Sequence, residues 1–187
     1  MSARFGSTFD EVLASAQAGG GWAFERLYTW LAPAVASYVR GQGVPDPDDA
    51  VSDVFLKAFT SIGGFRGTEE QFRSWVFTVA HHRIVDERRR ESRRPPIGAT
   101  LDAVAEEAAS GATEDIAVSA VSLATLRAVV DSLPADQRDV LLMRVLGDLS
   151  IEQTAQSLGK TEGAVKQLQR RALLAARAAV EARGVTL

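Results

Sequence analysis

The chain has 187 residues, of which 46% are hydrophobic, with no cysteine and two histidines. That length permits one or two domains with a substantial core, and the missing cysteines exclude a disulfide framework and any thiolate metal site. A formal net charge of -3 argues against binding nucleic acid by bulk positive charge, so any such contact must rest on local clustering.

Thr8-Phe-Asp-Glu11 has a capping-box pattern and predicts a short helix to about Ala18, broken by Gly19-Gly-Gly21. No strand pattern precedes these glycines, so they do not form a phosphate-binding loop. From Trp22 to Arg40, Phe24, Leu27, Tyr28, Leu31, Val35 and Val39 recur at helical intervals, with Pro33 as a place for a kink. Asp46-Pro47 opens a helix that runs to about Ile62. Asp48 and Asp49 complement its positive end, whereas Asp53 lies beyond the first turn and is not explained by the helix dipole. Thr68-Glu-Glu-Gln71 caps a long helix to about Arg90, whose basic end is stopped by Pro95-Pro96. Residues 97–112, rich in alanine, glycine and acid, read as a linker. Helices follow at about 114–132 and from Pro134.

The last third reads as a helix-turn-helix. Ser150-Ile-Glu-Gln153 is a capping box, Gly159 supplies the left-handed stop, and Thr161 caps a second helix. On that helix Val165, Leu168, Ala172 and Ala176 share one side; Lys166, Gln167, Arg170 and Arg177 share the other, with Arg171 on its flank. No segment reads as a strand. The expected fold is all-α: two helical domains, residues 1–94 and 113–187, joined by a flexible acidic linker at residues 95–112.

Charge is distributed to match. Arg66, Arg73, Arg83 and the run from Arg88 to Arg94 form one basic cluster, and Lys160, Lys166, Arg170, Arg171, Arg177 and Arg183 another. Between them Asp102, Glu106, Glu107, Glu114 and Asp115 lie in a stretch without a basic residue. Two basic patches suggest two nucleic-acid contacts. Catalysis is not expected: Gly159-Lys160-Thr161 imitates the tail of a phosphate loop, but Thr154 stands where the first glycine belongs. Adjacent His81 and His82 diverge by about 100° on a helix, so neither a metal site nor a cofactor is expected. With no apolar run after Arg4 and no long apolar stretch, the expectation is a cytoplasmic protein without membrane insertion.

The order of motifs resembles bacterial sigma factors of the extracytoplasmic-function group. Asp48 to Phe59 is similar to region 2.2. Phe65-Arg-Gly67, Phe72-Arg-Ser-Trp75, Val79-Ala80, Asp86 and the arginine run resemble regions 2.3 and 2.4. Leu133-Pro134, Gln137-Arg138, Leu149-Ser150 and Gly163-Ala-Val-Lys166 with Arg171-Ala172 resemble region 4. The resemblance implies a non-catalytic specificity subunit that binds core RNA polymerase at its clamp helices and flap, recognises promoter DNA and answers to an anti-sigma factor.

Residue by residue, the resemblance places Asp49, Asp53, Phe55 and Lys57 against polymerase. Phe65, Arg66, His82, Arg83, Arg88 and Arg89 are expected on the single-stranded minus-ten element, with Phe65 either stacking on a base or pinning its loop to the core. Phe72 and Trp75 are expected in the core. Lys166, Gln167, Arg170 and Arg171 are expected on the duplex minus-thirty-five element, some on base edges and others on phosphates. This chain departs from the family's pattern at Ser52, His82, Gln167 and Gln169, where glutamine, asparagine, a small polar residue and leucine are usual. The acidic linker suits either a plain spacer or a nucleic-acid mimic in a basic channel. The competing reading is a conventional helix-turn-helix regulator, which has no use for an acidic docking helix followed by an aromatic loop and an arginine run.

Overall fold

The computed structural model describes residue 5, residues 8–93 and residues 127–182. The linker and most of the helix expected before Ser132 lie outside the described residues. Among the described residues every regular element is helical.

In the N-terminal module, α1 spans Phe9–Gln17, α2 Gly21–Gly41, α3 Pro47–Ser61 and α4 Glu69–Arg93, with a 3-10 turn at Ile62–Gly64. The expected side-chain cap at Thr8 does not form; its hydroxyl donates backwards to the Phe5 carbonyl at 2.9 Å. Helix α2 continues through Pro33, whose ring is exposed. Asp46 accepts from the Asp49 amide at 3.0 Å, and Pro47 occupies the first turn. Gln71 accepts from the Thr68 amide at 2.9 Å and so starts α4, which continues to Arg93, beyond the expected Arg90.

These helices enclose an aromatic core. Phe72, fully buried, meets Phe9, Phe65 and Trp75 at ring distances of 5.8, 5.2 and 5.5 Å, and stacks on Trp30 at 6.5 Å. Aromatic pairs at this spacing add to the gain from area burial.

In the C-terminal module, residues 127–131 are helical, followed by α5 Ala135–Val145, α6 Ile151–Leu158 and α7 Glu162–Glu181. The capping box at Ser150 and Gln153 closes on both sides, Gly159 is left-handed at φ 61°, and the Thr161 hydroxyl accepts from the Ala164 amide. Among the described residues the module has an apolar cluster of its own, Val140, Ala155 and Val165, flanked by Ile151, Leu158 and Leu168.

The two modules pack on each other. Leu142, Met143 and Leu149 join the N-terminal core. Gly41 permits the close approach of α2 to α5: a Cβ there would stand 2.9 Å from Leu142 Cδ1.

Candidate nucleic-acid interface

Helix α7 turns Val165 and Ala172 wholly inward and leaves Lys166, Gln167, Arg170 and Arg171 exposed. Among the described residues the charged ends make local surface pairs, Lys166 with Glu162 at 3.6 Å and Arg177 with Glu181 at 2.8 Å. Exposed i,i+4 pairs contribute little, so these cations can exchange carboxylates for phosphates at small cost. Gln169 is half-buried, and its side-chain oxygen has no hydrogen-bond partner among the described residues.

The aromatic loop before α4 is tied down. Gln17 donates to the carbonyls of Ile62 and Phe65 at 3.0 and 2.9 Å, and Arg66 donates to those of Gly63 and Phe65. Phe65 is half-buried, 5.2 Å from the rings of both Phe72 and Trp75, which anchors the loop to the core. Trp75 is only partly covered and lines a cleft with Gln71, Ser74, Thr78, Gln153 and Gln156.

The expected strand-binding residues on α4 separate into two groups. His82 and Arg89 are exposed, and Arg89 pairs with Asp86 at 3.7 Å. Arg83 and Arg88 are engaged within the protein. Arg83 pairs with Asp53 at 2.8 Å, with Asp49 at 3.8 Å, and with Glu87. Burial works against its charge, but the hydrogen bonds it donates to Asp53 and Glu87 outweigh it, and its pKa is raised. Asp53, which the helix dipole left unexplained, is thus one side of an α3–α4 ion-pair cluster. Arg88 donates to Gln42 Oε1 at 2.6 Å, and Gln42 Nε2 donates to Asp139 Oδ1 at 2.7 Å.

On α3, Asp49 and Lys57 are exposed and Asp53 is half-buried. Phe55 lies inside, 3% exposed and 4.7 Å from the Tyr28 ring, so it positions the helix from behind and cannot itself meet a partner. The exposed apolar residue is its neighbour Leu56, at 68%. Sequence reasoning missed Leu56, although it falls seven residues from Asp49, on the same face.

Also missed was a polar cluster between the modules. Asp139, 5% exposed, faces Gln42, with His81 Nδ1 and Arg88 each 3.9 Å from its carboxylate. Tyr38 Oη stands 3.4 Å from His81 Nδ1. Burial lowers the His81 pKa against the upward pull of Asp139; burial, followed by Asp139, raises that of Tyr38. The helical phase held the signal: Asp139 shares a stripe with Leu142 and Met143, so a carboxylate stands on an apolar face.

Known proteins match this arrangement. The Sigma-70 region 2 family model matches residues 23–94, and the Sigma-70 region 4 model matches residues 123–175. The chain is 34% identical over 167 residues to the ECF RNA polymerase sigma factor BldN of Streptomyces coelicolor, a match covering 87% of this chain and 62% of that protein. It is 31% identical over 175 residues to the ECF RNA polymerase sigma factor SigD of Mycobacterium tuberculosis, covering 90% of this chain and 82% of SigD. Among solved structures, the sigma factor RpoE from Bartonella quintana, crystallised with the anti-sigma factor NepR, superposes with a TM-score of 0.68 at 21% identity, over 84% of this chain and 96% of RpoE, a likeness of fold. The chain belongs to the ECF RNA polymerase sigma factors, specificity subunits of transcription. No helix among the described residues is long and apolar enough to cross a membrane.

Proposed function

We propose that this chain binds core RNA polymerase and directs it to promoters through two separate DNA contacts, without catalytic chemistry of its own. The observation that carries this reading is the presentation of Lys166, Gln167, Arg170 and Arg171 on the open side of a helix anchored by Val165 and Ala172, in a chain of the sigma family. A helix held this way can enter the major groove, where donor and acceptor patterns distinguish every base pair. The residues up to 94 form the polymerase and minus-ten module, and those from 113 the minus-thirty-five module, with 95–112 as tether.

On α3, Asp49, Asp53 and Lys57 together with Leu56 face the polymerase clamp, and Arg83 holds the two carboxylates in place. The Phe65-Arg66 loop, His82 and Arg89 take the melted minus-ten strand, with Arg83 and Arg88 at the edge of that surface. His82 offers one donor and one acceptor when neutral, as asparagine does, but in a ring of different shape. An anti-sigma protein belongs to the same proposal: exposed Leu173 and Leu174 on α7 are apolar surface that such a partner, or the polymerase flap, would cover. The cytoplasm, where polymerase works, is its place of action.

The test is reconstitution. Core polymerase with and without the chain transcribes fragmented genomic DNA, and transcript 5′ ends are sequenced. Starts that require the chain and share two spaced elements support the proposal; no chain-dependent start overturns it. Arg170→Ala is expected to weaken selection of the upstream element at least tenfold while polymerase binding stays intact, since a good base contact is worth about 1–3 kcal/mol. Unchanged selection would show that this side of α7 does not read DNA.

A further inference from the structure

The loop that carries Phe65 and Arg66 is strapped from α1. Gln17 is the last residue of that helix, and its Nε2 donates to both the Ile62 and the Phe65 carbonyls, at 3.0 and 2.9 Å. A primary amide nitrogen has two hydrogens, so both are engaged on the two ends of one turn. The Phe65 amide closes the same turn on the Ile62 carbonyl at 3.0 Å. Gly63 and Gly64, the residues between, are exposed and have no side chain to stiffen them. The strut itself is rigid: Phe9, Val12, Leu13 and Ala16 bury α1 in the aromatic core. Helix α1 lies ahead of residue 23, where the match to Sigma-70 region 2 begins.

Resting on the reading of this loop as part of the minus-ten strand site, we propose that Gln17 is a positioning residue for promoter melting. It holds the Ile62–Phe65 turn in the shape that receives an unstacked base. Taking a base from its stack is costly, and a pocket offsets that cost best when its shape is already set. Arg66 cannot set it alone. Its guanidinium donates to the Gly63 and Phe65 carbonyls at 3.0 and 2.6 Å, but the side chain is exposed, and a phosphate competes for the same donors. When Arg66 turns to the strand, its bonds to the loop are given up, and the half-buried Gln17 keeps the turn closed. The Phe65 ring is held separately, 5.2 Å from the rings of Phe72 and Trp75. Ring and backbone are thus fixed by different contacts, and only the backbone depends on Gln17.

Gln17→Met keeps a side chain of similar length and removes its donors; Gln17→Lys supplies donors again. Both replacements favour a helix. Core polymerase is reconstituted with each full-length chain on a promoter found by the sequencing assay, and opening is read from permanganate reactivity of minus-ten thymines. Gln17→Met is expected to open the promoter at least tenfold less, with polymerase binding and upstream-element selection within twofold of the parent. Gln17→Lys is expected to recover at least a third of parental opening. A second readout scans a single abasic site along a minus-ten oligonucleotide bound to the holoenzyme. In the parent, removing the base at one position is expected to weaken binding at least tenfold. In Gln17→Met that loss is expected to fall below threefold, because the base is no longer held. General destabilisation of the module would weaken every oligonucleotide alike and leave the ratio unchanged. Parental opening by Gln17→Met, an unchanged abasic ratio, or a Gln17→Lys chain as defective as Gln17→Met overturns the role of Gln17. A parent chain that loses nothing at any abasic position shows instead that the loop takes no base, which removes the reading beneath the proposal and the proposal with it.

Discussion

The two modules are built on different principles. The N-terminal one carries its own aromatic core, centred on Phe72 among four other rings. Among the described residues the C-terminal one has a separate apolar cluster of Val140, Ala155 and Val165 and lends Leu142, Met143 and Leu149 to its neighbour's core. Small domains bury a smaller share of their surface and are correspondingly marginal. The C-terminal module therefore depends on docking for much of its apolar burial, and whatever it docks on, α4 or another protein, sets its stability.

The largest expected effect breaks the self-sufficient half. Phe72→Ala should cost about 3–5 kcal/mol, as large aromatic deletions in packed cores do, and urea unfolding should show the whole N-terminal module lost together. If the midpoint hardly moves, the ring cluster is not the centre of that module. Leu149→Ala should cost about 2–3 kcal/mol, the lower end for leucine truncation, because the site lies at a seam that can partly collapse. Its signature is distribution: hydrogen exchange should accelerate in α5 and α6 more than in α1 and α2. Equal acceleration throughout would show one indivisible core rather than two unequal ones.

How much of this was legible in the sequence follows the range of the forces involved. The caps at Asp46, Thr68, Ser150 and Thr161 act over three residues, and the pattern that encodes them is local; each forms. The inward and outward sides of α7 follow from period alone, and Val165 and Ala172 are buried as that period requires. Thr8 failed as a cap because a tighter turn back to Phe5 took its hydroxyl. Arg83 and Arg88 read as free cations, but their partners Asp53, Gln42 and Asp139 stand 30, 46 and 97 residues from one or another member of the cluster. Nothing local announces such pairings. The packing of one module on the other lay beyond reach for the same reason, with Asp139 on an apolar stripe as its one visible trace.

A smaller effect sharpens the comparison from the weaker side. Gln169 lies half-buried on α7, with its carbonyl oxygen unpartnered among the described residues, at a position where the resemblance leads one to expect leucine. A buried polar atom without a partner costs about 1–3 kcal/mol. Gln169→Leu should therefore raise the thermal midpoint by a stabilisation of about 1 kcal/mol, confined by hydrogen exchange to the C-terminal module. A loss of stability would mean that the amide is satisfied after all and that the apolar cluster around Val165 has no room for leucine.

The smallest expected effect is on the seam itself, through pH. His81 sits between α4 and α5, facing Tyr38, Asp139, His82, Arg88 and Lys160. Burial, opposed by Asp139, lowers its pKa from the ordinary 6.5. The closed form thus binds a proton less readily than an open form in which the ring is hydrated. The sign follows: above pH 6.5 the ring is neutral in both forms and adds no pH dependence. As pH falls through that value the open form takes up protons first, so closure weakens, by at most about 1.4 kcal/mol per pH unit, until the closed form's own lower pKa is passed. Dyes on cysteines introduced at exposed Glu25 and Glu181 should report a longer mean separation at pH 5.5 than at pH 7.5. His81→Gln should flatten that change. Persistence of the full pH dependence in His81→Gln would assign it to the carboxylates instead, and a separation unchanged by pH in the parent chain would show that the ring stays equally buried in every arrangement the two modules adopt.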